Sequence, residues 1–164
     1  KITNLTEFRD NWADGTQEQF LYKNTDLAFS PNLIARGELT YTILPDTRTH
    51  ALSATLIGKW VGQQYLDNTG NNGTQLPAFG FVDTRINYDL KGIIGQQVSV
   101  IIAVNNLLNA QYASNGWVYR FNSPGYNPTP DDAYTRQENG DTYHQAGYFP
   151  QAGRNFMATL VVTF

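Results

Sequence analysis

Hydrophobic and polar residues alternate with period two through five segments, the pattern of strands whose two faces meet different surroundings. Over residues 35–44, Ala35, Gly37, Leu39, Tyr41 and Ile43 fall on one side and Arg36, Glu38, Thr40 and Thr42 on the other. Over 49–66, Leu52, Ala54, Leu56 and Trp60 alternate with Ser53, Thr55, Lys59 and Gln63, with Ile57 and Val61 as exceptions. Residues 78–90 set Val82, Ile86, Tyr88 and Leu90 against Asp83, Arg85, Asn87 and Asp89. Residues 97–117 begin with Val98, Val100, Ile102 and Val104 against Ser99, Ala103 and Asn105. Residues 153–164 close with Phe156, Ala158, Leu160, Val162 and Phe164 on one side. A sixth strand is expected near 2–10, where the alternation is poorer. No segment carries a helical period.

The connections differ in length. Residues 11–34, 67–77 and 118–152 are long and rich in Asn, Asp, Gly and Pro, whereas 45–48 and 91–96 read as tight turns. That succession is what an antiparallel meander gives when one rim carries elaborated loops and the other carries turns. Strands of about ten residues match the length that crosses a bilayer. Aromatic residues near the strand ends match the girdles of a membrane barrel. The expected fold is therefore all-β: an antiparallel up-and-down meander of five to six transmembrane strands with the long loops outside the cell. The alternative is a soluble β-sandwich, a binding or adhesion module with its apolar face inward and an aromatic ligand-binding loop.

Composition narrows the chemistry. The 164 residues are 41% hydrophobic and 15% charged, which argues against disorder. A net charge of −3 gives no basic footprint for nucleic acid. The absence of cysteine excludes disulfides, thiolate metal sites and a thiol nucleophile. No apolar run is long enough for a membrane-spanning helix, and no signal peptide is visible. The chain opens at Lys1 without Met, so a preceding segment is expected to have been cleaved or omitted.

Few residues point to catalysis. The two histidines, His50 and His144, offer no Ser-His-Asp arrangement, so the chain reads as a non-enzyme with no catalytic residues. His50 follows a turn and is expected to cap a strand end; His144 lies in the longest loop and is expected to be solvated. Asp131, Asp132, Glu138 and Asp141 offer oxygen ligands without the spacing of a calcium loop, and no metal or cofactor is assigned. Arg36, Glu38, Lys59, Asp83, Arg85 and Asp89 form a row of mixed sign, expected to line a barrel lumen. Trp117, Tyr119, Arg120, Phe121, Tyr126, Tyr134, Tyr143, His144 and Tyr148 make the third loop the candidate ligand-capturing segment, because rigid rings bind at small entropic cost.

Three passages carry a family resemblance. Val104-Asn105-Asn106-Leu107-Leu108-Asn109-Ala110-Gln111-Tyr112 resembles the V-x-NLF-x-x-x-Y signature before the last strand of TonB-dependent outer-membrane receptors, with Leu108 in place of the usual Phe. Tyr148 to Phe164 resembles their closing strand, particularly in receptors of Bacteroidetes type, and Asp26-Leu27-Ala28-Phe29-Ser30-Pro31-Asn32 resembles a D-x-A-x-SPN passage entering an earlier strand. The resemblance implies the C-terminal section of an outer-membrane β-barrel of about twenty-two strands. The plug domain and the TonB-contacting segment would lie outside this chain. It also implies that Phe156, Ala158, Leu160, Val162 and Phe164 are the signal read by the barrel-assembly machinery. The lumen row would contact the plug, and the loops would capture a scarce solute such as a siderophore, haem or cobalamin. Implied partners are the rest of the barrel and its plug, the TonB complex, the assembly machinery and a surface-exposed lipoprotein. Five or six strands alone cannot close, and each unpaired backbone group at an open edge in hydrocarbon costs several kcal/mol.

Overall fold

The structure, a computed structural model, describes residues 1–46 and 49–164; the tight turn expected over 45–48 lies partly outside them. The fold is all-β and divides into two compact units. One comprises Lys1–Asn32, Gly62–Ala78 and Ala113–Gln151, and the other Leu33–Val61, Phe79–Tyr112 and Ala152–Phe164.

The second unit is built on the segments of cleanest alternation. Strands β3 (Ile34–Leu44), β4 (His50–Val61), β7 (Phe79–Lys91), β8 (Gln97–Asn105) and β12 (Asn155–Thr163) form one sheet in the order β12-β8-β7-β4-β3. Every neighbouring pair is antiparallel, so within this unit the expected up-and-down meander is present. No sheet closes on itself among the described residues: β3 and β12 are edges. The turn from β7 to β8 needs its glycines. Gly95 has φ +61, and a Cβ there would fall 2.5 Å from the Thr163 carbonyl, which also accepts the Gln96 amide at 2.7 Å.

Register aligns the two faces across all five strands. One face stacks Tyr41, Ala54, Ile86, Ile102 and Ala158 in a single cross-strand row, with Leu44, Leu52, Tyr88, Val100 and Leu160 in another. The other stacks Thr40, Thr55, Arg85, Ala103 and Met157, and beside it Glu38, Ile57 and Asp83. The buried positions of this sheet lie on β4 and β8, on the face that carries the charged residues. Ile102 is 46% exposed and Leu160 66%, while Thr55, Ile57, Val61 and Ala103, all on the polar face, are buried. In the register Ile57 stands between Glu38 and Asp83, and Ala103 between Arg85 and Met157.

The first unit corrects the expectation of long loops. Residues 11–34 contain β2 (Gln17–Thr25), which pairs with β1 (Ile2–Asn11). The segment 118–152 holds most of β9 (Ala113–Asn122), all of β10 (Thr135–Asn139) and all of β11 (Thr142–Pro150). These strands form a sheet in the order β10-β11-β9-β1-β2, mixed because β1 runs parallel to β9 over Asp10 and Asn11. Trp117, Tyr119 and Phe121 of β9 are ring residues at period-two spacing, a strand pattern that the surrounding Asn, Gly and Pro obscured.

Two expected strands are also divided. The stretch 49–66 stops at Val61 and resumes as β5 (Gln64–Tyr65), paired with β6 (Gln75–Leu76). The stretch 97–117 breaks after Asn105, because Asn106 and Asn109 both take positive φ, +50 and +53, and reverse the chain. Asn106 holds the break in place: its side chain donates to the Ala110 and Ala152 carbonyls at 2.8 and 3.2 Å and accepts the Ala110 amide at 2.8 Å. The Asn of the V-x-NLL passage is thus a structural staple between the connection after β8 and the entry to β12.

Candidate functional site

The first unit places its chemistry on one face of β1, β9 and β11. Strand alternation puts Glu7, Arg9 and Asn11 on the same side of β1, Arg120 and Asn122 on the same side of β9, and Thr142, His144, Ala146 and Tyr148 on one side of β11. Register then sets Arg136 of β10, His144 of β11 and Arg120 of β9 directly side by side.

Arg120 is the hub. Its side chain is 2% exposed and meets three carboxylates: Asp67 at 2.7 Å, Glu138 at 2.8 Å and Glu7 at 3.5 Å. It also donates to the Thr74 hydroxyl at 3.1 Å. Arg9, 5% exposed, donates to Glu7 at 2.9 Å and to the Tyr22 hydroxyl, and its guanidinium sits 3.9 Å from the centre of the Phe20 ring. His144 Nδ1 lies 2.8 Å from Glu138 Oε1, close enough for ion pairing but not aligned as a hydrogen bond. A planar guanidinium carries enough donors to serve several acceptors at once, which suits Arg to this position.

The ionisable groups respond accordingly. Burial pushes the Glu138 carboxyl up, but the contacts from His144 and Arg120 outweigh it and hold it below its ordinary value. Asp67 behaves alike: burial raises it, while the Thr69 hydroxyl and the Arg120 charge bring it lower. The Tyr22 hydroxyl is pushed up to about 12 by burial and by the Glu7 charge.

Beside this network lies a cleft of about 440 Å³, lined by Tyr134, Arg136, His144, Ala146, Tyr148 and Gly73, among others. Gly73 leaves the histidine room, since a Cβ there would stand 3.1 Å from His144 Cε1. Tyr134 and Tyr148 are 63% and 44% exposed.

The sequence-derived ligand set is split by burial. Trp117, Tyr119, Tyr126, Tyr134 and Tyr148 are exposed; Arg120, Phe121, Tyr143 and His144 are buried. Phe121 stacks between Trp12, 3.7 Å away, and Tyr143, 5.8 Å away, so it forms core rather than a capture surface. His144, expected to be solvated in a loop, is 4% exposed because it sits inside a strand. The Tyr119 hydroxyl is committed to Asp10 at 2.7 Å and that of Tyr126 to Asp131. Glu7, Arg9, Asp67 and Thr74 were missed; the one signal for them was the charged spacing of Glu7 and Arg9 on β1.

The remaining candidates take ordinary roles. Arg36 pairs with Glu38 at 2.9 Å, Asp83 accepts the Asn106 amide at 2.8 Å and Asp89 accepts the Ser99 hydroxyl; Lys59 and Arg85 are exposed. Phe156, Ala158, Leu160 and Val162 share the apolar face of β12, and Phe164 follows at the chain end, 85% exposed. His50 begins β4, its Nδ1 at 2.9 Å from the Tyr88 hydroxyl. Asp132 is spent on the Tyr134 amide and the Thr135 hydroxyl, and Glu138 on Arg120. Among the described residues, no group of three or more His, Asp or Glu is set to hold a metal ion. No protein-family model, no curated protein and no solved structure matches this chain.

Proposed function

We propose that this chain is the C-terminal wall section of a TonB-dependent outer-membrane receptor, and that its first unit captures a scarce solute outside the cell. The observation that carries the reading is the inverted sheet of the second unit. Each of its five strands exposes apolar side chains on one face, Leu39, Leu56, Ile86, Ile102 and Leu160 among them, while the side chains buried on its strands, Thr55, Ile57, Val61 and Ala103, lie on the other, polar face. A soluble sandwich turns its apolar face inward, because contiguous exposed apolar surface draws proteins together. A barrel wall in lipid does the reverse, with apolar residues outward and polar residues toward the lumen.

The open edges support the same reading. β3 and β12 leave their outer backbone groups unpaired among the described residues. In hydrocarbon such groups need partners, which further strands of the same barrel supply. There is no reaction in this reading: the first unit binds, the sheet forms wall, and a plug energised through TonB moves the solute.

Extraction tests it. The protein, expressed in a Gram-negative host, is expected to stay with the outer-membrane fraction through high-salt and alkaline washes and to leave only with detergent. Release by either wash would overturn the reading.

A further inference from the structure

We propose that the cleft between Tyr134 and Tyr148 binds an organic anion built on a flat ring, an aromatic carboxylate. The proposal rests on the reading of the first unit as solute-capturing and names the class of solute.

The lining argues for an anion. It holds Arg136 and His144 and, in a chain of net charge −3, neither Asp nor Glu. Arg136 is held in place by its own backbone, with Nη1 donating to the Ala133 and Thr135 carbonyls at 2.8 Å each. Among the described residues it forms no ion pair within 4.0 Å, unlike Arg120 and Arg9 on the same sheet, although, with the Tyr134 amide and the Thr135 hydroxyl, its charge helps to hold the Asp132 carboxyl below its ordinary value. A guanidinium fixed on one side and open on the other is pre-organised for a carboxylate, which it can meet through two parallel hydrogen bonds. His144 flanks it in register, its Nδ1 side taken by Glu138 and its Cε1–Nε2 edge turned to Gly73.

The walls argue for a ring. Tyr134 and Tyr148 present exposed ring surface, and their hydroxyls donate to no protein acceptor among the described residues. Stacking between aromatic planes adds binding beyond the area buried. A volume of about 440 Å³ lies in the range of small-molecule pockets and exceeds what a bare inorganic ion would fill.

Titration of the purified full chain in detergent with 2-naphthoate, its neutral amide 2-naphthamide, and inorganic phosphate tests both halves. Naphthoate is expected to bind saturably, and the amide and phosphate at least tenfold more weakly. Arg136→Ala and Arg136→Gln should each weaken naphthoate at least tenfold, and Tyr148→Ala several-fold, with an unchanged far-ultraviolet circular dichroism spectrum; Arg154→Ala should change nothing. Equal binding of the amide removes the anion from the proposal, equal binding of phosphate removes the ring, and indifference to Arg136 removes the site. Failure of naphthoate to bind a detergent-extracted protein overturns this inference alone. Washing off the membrane overturns the receptor reading whatever the titration gives.

Discussion

Leu56 and Ile57 are neighbours on β4, and their burial is reversed from what their surroundings on the sheet would give in water. Leu56 lies in the apolar row with Leu39 and is 46% exposed; Ile57 lies between Glu38 and Asp83 and is 8% exposed. Successive residues of a strand point to opposite faces, so this pair samples both environments of the sheet within one peptide unit. On β4 the apolar face is the more exposed one.

Arginine placed on each face therefore reports the surrounding medium. Leu160→Arg and Ile102→Arg are expected to cost about 2–4 kcal/mol in a bilayer. Thr159→Arg and Ser99→Arg, one residue away on β12 and three away on β8, should cost less, because in the proposed barrel wall they would face a wet lumen. Folding yield into liposomes, read by protease protection, measures the difference; a larger loss for the polar-face pair would reverse the assignment.

Removing the hub of the charge network should be severe. Arg120→Met leaves Glu7, Asp67 and Glu138 facing one another without their shared cation. Breaking a buried ion pair from one side costs about 3–5 kcal/mol. Thermal unfolding in detergent should show a large drop, partly restored by adding Glu138→Gln. A change under 1 kcal/mol, well below that range, would mean that solvent already screens the cluster.

Acid should loosen the same network. Glu138 and Asp67 titrate lower in the folded protein than their ordinary values of 4.5 and 3.8. Their stabilisation is therefore complete above those values and is lost as pH falls through the lower folded ones. Melting temperature is expected to be flat from pH 7 to about pH 5, above the usual carboxylate range, and to fall at lower pH. Glu138→Gln should flatten part of the acid limb; an unaltered limb would assign the acid sensitivity elsewhere.

Asn106 gives a prediction independent of charge. It is 4% exposed, and its side chain satisfies Ala110 on both backbone groups as well as the Ala152 carbonyl. Asn106→Ala is expected to cost about 1–3 kcal/mol through unsatisfied buried backbone groups. Asn106→Gly relieves the positive φ but not the lost hydrogen bonds, so it should recover only part of the stability in the same unfolding assay.

Alternation alone determined the β3, β7, β8 and β12 strands and which residues share their faces, because period two is a local consequence of extended backbone. The same rule was masked in 118–152. There Asn, Gly and Pro at the turns hid Tyr119 and Phe121 on β9 and Tyr143 on β11, and the buried His144 was taken for a loop residue. Which face is covered, and where Arg120 finds its carboxylates, only the tertiary structure decided. Arg120 and Asp67 are 53 positions apart. Their meeting depends on β9 lying beside β1 and β11, and on how the 62–78 segment folds back to β9. Strand register and chain return are long-range outcomes of packing, and no spacing along the chain encodes them.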